Sequence, residues 1–526
     1  MVRVSWSLGG VVLGSALALA ACGSTDSGPT GAAGTGGAAG ASAGSGGAAG
    51  SAGAAGSGGA AGSAGAAGSG GAAGSAGAAG SAGATCACAP GESLACTALG
   101  GLYADDGKSA SCRADCTGFD VSACTLKDAS GRTREYVYPS LRDPVYGAAR
   151  CNDGTPYFFT VSLTGSRRWV INFEGGGACD GDVIPCAPRW TKSRALFSSA
   201  NEPKDGTVVP WQGSAAIGSR NPTENPDFAD ANIVVGNYCS SDLWTGRAAK
   251  AVPSNPALKG EPPFDLWFSG RDNARATLAV LVARYGLDDA QDIDLVITGS
   301  SAGGNGARNN ADLYAEAFPN ARAEKRIWVL PVAGFQLYDW ARDGAGIMGG
   351  DVPDPVTWTG MVSRWSAELN PRCRALASAA GASAGACLAG LYSTQSMLLA
   401  EPEGYGMRLF DATNRSDPVY LGYHDVKPAT PGYDVIVDAW QAKATEEMLA
   451  SGVRWLLAPA HRGQPNVHGL FEHWKVPFPA YDAAADGCGT PWTPGQTFRD
   501  LVHEFYVDAS PETSGHRVCP NGWPVP

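Results

Sequence analysis

Hydrophobic residues in the second half of the chain form short continuous runs that alternate with stretches of helical period. Six runs are typical of buried strands, at residues 168–173, 231–235, 293–298, 326–330, 407–410 and 453–457. Apolar positions with helical spacing cover residues 271–285, 304–317 and 433–450. Strands that alternate with helices predict an α/β fold, in which helices cover both faces of a mostly parallel sheet. Ligands of such sheets bind at the carboxyl ends of the strands.

The first 84 residues lack this alternation. Residues 1–21 combine one cation with an apolar segment and end in Leu-Ala-Ala before Cys22, which predicts a secretory signal peptide. The arrangement resembles a bacterial lipoprotein box, which implies cleavage before Cys22 and lipidation of its thiol, although a plain signal peptide is the alternative. Residues 22–84 are dominated by Gly, Ala and Ser, and segments without a hydrophobic face predict a disordered tether.

Charge and hydropathy exclude two classes of protein. The 526 residues include 38 Lys and Arg against 50 Asp and Glu, a formal net charge of −12. Nucleic-acid binding requires clustered cations on the protein, so this balance argues against it. Beyond the N-terminus no apolar stretch reaches the roughly 18 residues that a membrane-spanning helix needs, which excludes a polytopic membrane protein.

The 15 cysteines are numerous for a chain of this composition. Six of them, at positions 86, 88, 96, 112, 116 and 124, lie in a segment with few large apolar side chains, so we expect disulfides to replace a core there. We therefore predict a small Cys-rich module at residues 85–130, with a catalytic domain at 131–526. A zinc site at Cys112 and Cys116 is the alternative, but the module contains no histidine.

The pattern Gly-x-Ser-x-Gly occurs three times, centred on Ser42, Ser301 and Ser383. It marks a nucleophilic serine only where a buried strand enters the turn and a helix leaves it. Ser301 alone has both, because the apolar run 293–298 precedes it and the helical pattern 304–317 follows it. We predict that Ser301 is a nucleophile at a sharp strand-to-helix turn.

A second glycine cluster, at residues 175–177, directly follows the predicted strand 168–173. Backbone without side chains can approach a ligand closely and offer N–H groups to it. In α/β-hydrolases the loop at this position supplies an oxyanion donor together with the N–H after the nucleophile, which is Ala302 in this chain. A tight turn held by a Cys179–Cys186 disulfide is a structural reading compatible with this one.

A serine nucleophile requires a base and an orienting acid, which follow it in the chain order of α/β-hydrolases. Two of the six histidines, His461 and His468, lie beyond the end of the last predicted strand. Asp417 lies in the loop that follows the run 407–410, whereas Asp411 continues that run and is expected to be buried. We favour Asp417 as the acid.

Five motifs together resemble the pectin acetylesterase and Notum family of carboxylesterases. They are Phe173-Glu-Gly-Gly-Gly-Ala-Cys179, Tyr238-Cys-Ser-Ser-Asp-Leu-Trp-Thr-Gly246, Gly299-Ser-Ser-Ala-Gly-Gly304, the stretch that ends at Asp417-Pro-Val-Tyr-Leu421, and His468-Gly-Leu-Phe-Glu-His-Trp474. The resemblance implies an α/β-hydrolase fold with a catalytic triad and an oxyanion hole. The implied residues are Ser301, Asp417 and His468 for the triad, and the backbone N–H groups of Gly176, Gly177 and Ala302 for the oxyanion hole.

Two positions depart from the family's pattern. Gly177 stands where relatives commonly carry tryptophan, which opens that wall of the site. Pro465 stands where a cysteine often precedes the histidine, so His461 stays open as an alternative to His468.

The resemblance further implies acyl transfer without a metal or organic cofactor. The expected substrate is an O-acetylated polysaccharide. Pectin is the less favoured polymer, because a protein of charge −12 repels a polyuronate unless cations such as Arg271 and Arg275 cluster at the cleft. The alternatives are a Notum-like deacylase of longer chains and an inert polysaccharide-binding lipoprotein. We expect a monomer, attached to the outer membrane only through its N-terminal lipid.

Overall fold

In the residues that the computed structural model of this protein describes, fourteen strands form three sheets. The model describes residues 86–181, 184–212, 216–248, 252–253, 265–340, 354–414, 417–458, 468–475 and 495–507. In chain order the strands are β1 (Ser93–Ala95), β2 (Ser109–Cys112), β3 (Phe119–Asp120), β4 (Thr133–Val137), β5 (Phe159–Ser162), β6 (Arg168–Phe173), β7 (Val208–Pro210), β8 (Asn232–Gly236), β9 (Val252–Pro253), β10 (Asp265–Leu266), β11 (Asp294–Ser300), β12 (Ile327–Val332), β13 (Arg408–Asn414) and β14 (Arg454–Ala458).

The main sheet has nine strands in the order β14-β13-β12-β11-β6-β8-β5-β4-β7. All pairs from β14 to β8 are parallel, and those from β8 through β5 and β4 to β7 are antiparallel. The six predicted strands are the six parallel ones, so the predicted α/β class with a mostly parallel sheet is confirmed. The largest difference in extent is in β13, which continues beyond the predicted end at residue 410 to Asn414.

Twelve helices are defined in the described part of the chain. In chain order they are α1 (Cys96–Leu99), α2 (Pro139–Arg142), α3 (Ala187–Lys192), α4 (Gly270–Arg284), α5 (Ala302–Ala317), α6 (Pro319–Ala323), α7 (Asp354–Trp365), α8 (Pro371–Ala379), α9 (Gly390–Leu398), α10 (Pro418–Tyr423), α11 (Tyr433–Ser451) and α12 (Phe498–Val507). The three predicted helices correspond to α4, α5 and α11. Helix α5 begins directly after Ser301, two residues earlier than predicted.

Side chains from both faces of the parallel strands are buried, as their continuous apolar runs require. On one face, Val296 and Phe410 belong to a core cluster with Phe498 and Phe505 of α12. On the other face, Ile297 belongs to the larger core cluster, which also contains apolar residues of α4 and α5. Helices therefore cover both faces of the sheet, and the carboxyl ends of the strands are the expected place for a ligand site.

The register of the three central strands brings their carboxyl ends together at one edge of the sheet. Gly299 of β11 pairs with Phe173 of β6, and Ser300 pairs with Val332 of β12. The glycine cluster after β6 and the turn after β11 consequently begin side by side. This register is what allows residues distant in sequence to form one site.

Six disulfides join the twelve cysteines of the described region. Within the Cys-rich segment the pairs are Cys86–Cys116, Cys88–Cys112 and Cys96–Cys124, and the others are Cys151–Cys239, Cys179–Cys186 and Cys373–Cys387. The disulfide interpretation is confirmed, and the zinc alternative is wrong because both of its candidate ligands are in disulfides. The predicted signal peptide, lipidation site and tether lie outside the described residues.

The Cys-rich segment packs against the end of α4. Tyr103 donates a hydrogen bond to the carbonyl of Arg284 (3.2 Å), and Arg113 donates one to the carbonyl of Val282 (3.0 Å). A Cβ atom at Gly118 would come closer than 3.0 Å to Ala283, so the two backbones are in direct contact. The described residues from Cys86 onward belong to one compact unit.

Two structural features are absent from the described ranges. None of their helices combines the length and the apolar character needed to cross a bilayer. The same ranges contain no cluster of three or more His, Cys, Asp or Glu side chains arranged to bind a metal ion.

A buried ion pair joins the antiparallel edge of the sheet to the Cys-rich segment and generates a stability prediction. The Arg142 guanidinium contacts Glu135, which is fully buried, at 2.5 Å, and also bonds the Tyr285 hydroxyl (2.7 Å) and the Leu99 carbonyl (3.2 Å). Arg142→Met leaves Glu135 buried without its cation, so we expect a loss of about 3–5 kcal/mol in the free energy of unfolding. Urea denaturation measures it.

The matched control is Arg167→Met. Arg167 pairs with Asp292 at 3.0 Å, but both side chains are more than half exposed (67% and 60%). Exposed pairs contribute about 0–1 kcal/mol, so this variant should unfold close to the wild type. Equal effects of the two substitutions would contradict the structural role of Arg142.

Candidate active site

Ser301 occupies the sharp turn between β11 and α5. Its backbone angles are φ 61° and ψ −127°, a conformation rare for a residue with a side chain. The Ser301 N–H donates to the Val332 carbonyl at 2.8 Å, and its own carbonyl accepts from the Asn305 N–H at 3.2 Å. Strained backbone at a strand-to-helix turn is the geometry of a nucleophile elbow, which projects the hydroxyl above the sheet edge.

Close backbone contacts explain the glycines around this turn. A Cβ atom at Gly303 would come closer than 3.0 Å to the Phe173 carbonyl, and one at Gly299 would meet both Gly303 and Phe173. A Cβ at Gly175 would lie 3.1 Å from the Ser301 Cβ and closer still to the Ser300 carbonyl. The glycine loop and the elbow therefore pack backbone against backbone.

The glycine loop turns away from β6 through two residues with positive φ, Gly176 (149°) and Gly177 (71°). Arg189 of α3 donates a hydrogen bond to the Gly176 carbonyl, and the Cys179–Cys186 disulfide closes the base of the loop. Gly177 and Ala302 line the same pocket as Ser301, whereas Gly176 is not among the lining residues. The loop thus carries backbone to the vicinity of the serine.

Below the loop, the motif that begins at Tyr238 forms a buried support. Asp242 accepts hydrogen bonds from the N–H groups of Trp244 (3.1 Å), Gly246 (3.1 Å) and Gly270 (2.7 Å). Trp244 packs edge-on against Phe173 and donates its indole N–H to the Glu174 carbonyl at 3.1 Å. The carboxylate therefore acts as a structural anchor for the strand that leads into the glycine loop.

Asp417 and His468 are hydrogen-bonded to each other. The His468 Nδ1 lies 2.8 Å from both carboxylate oxygens of Asp417. Asp417 also caps α10, since its Oδ1 accepts from the N–H groups of Val419 (2.9 Å) and Tyr420 (3.0 Å). The Asp417 side chain is 2% exposed and that of His468 is 13% exposed, so the helix N-terminus holds the acid in place beneath the ring.

Asp411, the alternative acid, has a different partner. It lies inside β13 and contacts Arg308 of α5 at 2.7 Å, with both side chains fully buried. Burial raises the pKa of the Asp411 carboxyl above its usual value, and the Arg308 charge opposes that shift. This aspartate is part of a structural ion pair, and Asp417 is the one that reaches a histidine.

Two other histidines, His503 and His424, have environments different from that of His468. The alternative base, His461, lies outside the described residues. His503 lies on α12, and its Nδ1 is 2.8 Å from the Asp227 Oδ1. His424 is 2% exposed and lies at the end of α10, where burial lowers the pKa of its ring to about 4 and keeps it neutral near pH 7.

A pocket opens beside Ser301, with a cavity volume of about 30 Å³. His468, Ala302 and Gly177 line it together with the serine. The other lining residues are Ala178, Ile184, Leu243, Ala333, Gln336, Trp358, Met361, Val419, Tyr420, Tyr423 and His424. A hydroxyl, an imidazole bonded to a carboxylate, and backbone N–H groups next to a small pocket are the components that acyl transfer requires.

Three residues of the site were not found by sequence reasoning. They are Arg189, which contacts the glycine loop, and Tyr423 and His424, which line the pocket. Helical spacing gives no signal for Tyr423, because a position six residues after the acid lies about 120° away from it around the helix axis.

Substitution of Asp417 and of Asp411 tests which of the two is the catalytic acid. Asp417→Asn retains a good helix cap but no longer stabilises a protonated imidazole, so we expect hydrolysis of p-nitrophenyl acetate to fall by roughly 10⁴ in kcat with the melting temperature nearly unchanged. Asp411→Asn leaves Arg308 buried without its anion, so it should lower the melting temperature and preserve kcat per folded molecule. The opposite pattern would assign the catalytic acid to Asp411.

Comparisons with known proteins identify the family of this chain. The model of the Pectinacetylesterase family matches residues 136–344, a segment that includes Ser301 and ends before Asp417. The human palmitoleoyl-protein carboxylesterase Notum is 32% identical over 232 residues, 43% of this chain and 42% of the relative. This chain therefore spans about two fifths of the length of that relative.

Two further matches complete the comparison. A zebrafish protein named inactive palmitoleoyl-protein carboxylesterase notum1b is 41% identical over 101 residues, which are 19% of this chain and 68% of that protein. The crystal structure of the Wnt deacylase Notum from Drosophila superposes with a TM-score of 0.51 at 21% identity and covers 68% of this chain and 89% of its own, which shows the shared fold. The chain belongs to the pectinacetylesterase/Notum family of carboxylesterases.

Proposed function

We propose that this protein is an extracytoplasmic serine carboxylesterase that uses Ser301, His468 and Asp417 as its catalytic triad. The observation that carries the proposal is the 2.8 Å contact between His468 and Asp417 on a pocket that Ser301 also lines. The strained elbow at Ser301 supports it as well. The compartment follows from the six disulfides, which persist in an oxidising environment.

The reaction begins when His468 accepts the hydroxyl proton of Ser301 and the serine oxygen attacks the ester carbonyl. Asp417 orients the ring and stabilises its positive charge. Backbone N–H groups of Gly177 and Ala302, with that of Gly176 from the same loop, stabilise the oxyanion of the tetrahedral intermediate. His468 then protonates the departing alcohol, and water, activated by the same ring, releases the acid and restores the serine.

A short acyl group, acetyl, is the substrate that the pocket favours. Its cavity volume of about 30 Å³ is small, which suits a short acyl group better than a long chain. A Cβ atom at Gly177 would lie 2.9 Å from the Arg189 guanidinium and 3.2 Å from the Tyr423 hydroxyl, so these two side chains occupy the space that glycine leaves open. The relatives' names describe removal of palmitoleoyl groups from proteins, and a chain of that length requires a deep apolar pocket.

The alcohol part of the ester must remain outside so small a pocket, which suits an acetyl group carried on a polymer such as an O-acetylated polysaccharide. Charge argues against pectin. Arg271 is buried against Asp312 (2.6 Å), and Arg275 pairs with Glu368, so neither supplies a free cation for a polyuronate. Lipidation at Cys22, with attachment to the outer membrane, is the localisation that we propose on sequence grounds.

The rival function is an inert polysaccharide-binding lipoprotein. We expect purified protein to hydrolyse p-nitrophenyl acetate and to release acetate from acetylated xylan. Ser301→Ala removes the nucleophile, so both rates should fall by at least about 10³. Equal rates for the wild type and Ser301→Ala, with both proteins folded by circular dichroism, would leave only the binding function.

Acyl-chain preference is the second prediction. For p-nitrophenyl acetate, butyrate and octanoate, we expect kcat/KM to fall with each increase in chain length. Tyr423→Ala opens the wall beside Gly177, so the octanoate-to-acetate ratio of kcat/KM should rise by at least about tenfold, as expected when one to two methylene groups gain room.

Tyr423→Phe is the matched control, because it keeps the ring and removes only the hydroxyl. Its chain-length preference should equal that of the wild type. A wild-type enzyme that prefers octanoate, or a Tyr423→Ala variant with an unchanged ratio, would rule out Tyr423 as the limiting wall.

A further inference from the structure

Arg189 is the one charged side chain seen to bond the glycine loop within the described part of the chain. It lies on α3, three residues after the disulfide-bonded Cys186. Its Nη1 donates to the Gly176 carbonyl and its Nη2 donates to the Ser241 hydroxyl at 3.2 Å. Gly177 lines the pocket and Arg189 does not, although the guanidinium would lie 2.9 Å from a Cβ atom at Gly177.

The bond to the Gly176 carbonyl has a consequence for the next amide. The carbonyl of Gly176 and the N–H of Gly177 belong to the same planar trans peptide, in which the two groups point in opposite directions. Holding the carbonyl toward α3 therefore directs the N–H away from α3. Both residues have positive φ and no side chain, so the local chain itself provides little resistance to rotation of this peptide.

The other end of the guanidinium is fixed to rigid structure. Ser241 is fully buried and donates its hydroxyl to the Asn152 side chain at 2.7 Å. The Ser241 carbonyl accepts from the Cys179 N–H at 3.0 Å, and the neighbouring Cys239 is in a disulfide with Cys151. Arg189 thus connects the glycine pair to a loop that buried hydrogen bonds and a disulfide hold in place.

We propose that Arg189 is a positioning residue for acyl transfer, which orients the Gly177 N–H toward the oxyanion by holding the Gly176 carbonyl. The proposal rests on the esterase function above and adds to it a determinant of the transition state. An oxyanion forms only as the serine attacks, so the contribution of Arg189 belongs to kcat and leaves ground-state binding of the ester unchanged.

The test is steady-state hydrolysis of p-nitrophenyl acetate by full-length Arg189→Met and Arg189→Lys. Methionine preserves the apolar length of the side chain and removes both hydrogen bonds. We expect kcat to fall by about 10- to 100-fold with KM within about twofold, since misplacing one donor costs less than deleting it. Lysine can still donate one hydrogen bond to the carbonyl, so its kcat should be intermediate.

Arg194→Met is the matched control. Arg194 lies five residues further along and stacks on Trp190, with its guanidinium carbon 3.6 Å from the ring centroid. This variant removes an arginine from the same region without touching the glycine loop, and its kcat should equal that of the wild type. Methylguanidinium at millimolar concentration should restore part of the kcat of an Arg189→Ala variant and leave Arg194→Met unaffected.

The outcomes separate this inference from the proposed function. If Arg189→Met loses activity only in proportion to a lowered melting temperature, Arg189 has a structural role. If the variant has a higher KM and an unchanged kcat, Arg189 has a substrate-binding role. Wild-type kcat in Arg189→Met would overturn the inference while Ser301-dependent hydrolysis kept the esterase assignment. Hydrolysis that does not depend on Ser301 would overturn both the inference on Arg189 and the proposed function.

Discussion

The carboxyl ends of β6 and β11 approach each other so closely that only glycine fits between them. Gly175, Gly299 and Gly303 form this contact, in which backbone carbonyls occupy the space that Cβ atoms would need. The approach exists because the two strands pair in parallel register, with Gly299 opposite Phe173. It brings the glycine loop to the serine turn, and the arrangement of the site depends on it. Any larger residue at these positions separates the loop from the serine.

The helix that follows the serine imposes a second constraint. Helix α5 is buried along most of its length although it carries Arg308, Asn309, Asn310 and Asp312. Each buried charge therefore needs a partner, and the partners come from other elements: Asp411 of β13 for Arg308, and Arg271 of α4 for Asp312. Such pairs add little net stability compared with apolar packing, but they penalise any other arrangement of the three elements.

Much of this architecture could be predicted from the sequence, because parallel strands buried on both faces are continuous apolar runs. The antiparallel strands β4, β5 and β7 were not predicted, since they are short and carry polar residues such as Glu135, whose burial depends on the cation of Arg142. Ser301 was identifiable from its flanking strand and helix. The end of β13 was not, because Asp411 remains in the strand only where Arg308 neutralises it.

Helix α10 couples two properties that are usually considered separately. Its first turn is capped by Asp417, which holds His468, and its last turn carries Tyr423 to the wall beside Gly177. The helix is only six residues long, so a displacement of one end also displaces the other. A change in the pocket wall that shifts the backbone of α10 would therefore also tilt the acid that orients the imidazole. Longer acyl chains can be accommodated only by substitutions that enlarge the wall without moving this helix, which favours truncation of the Tyr423 side chain over insertion into the loop that precedes it.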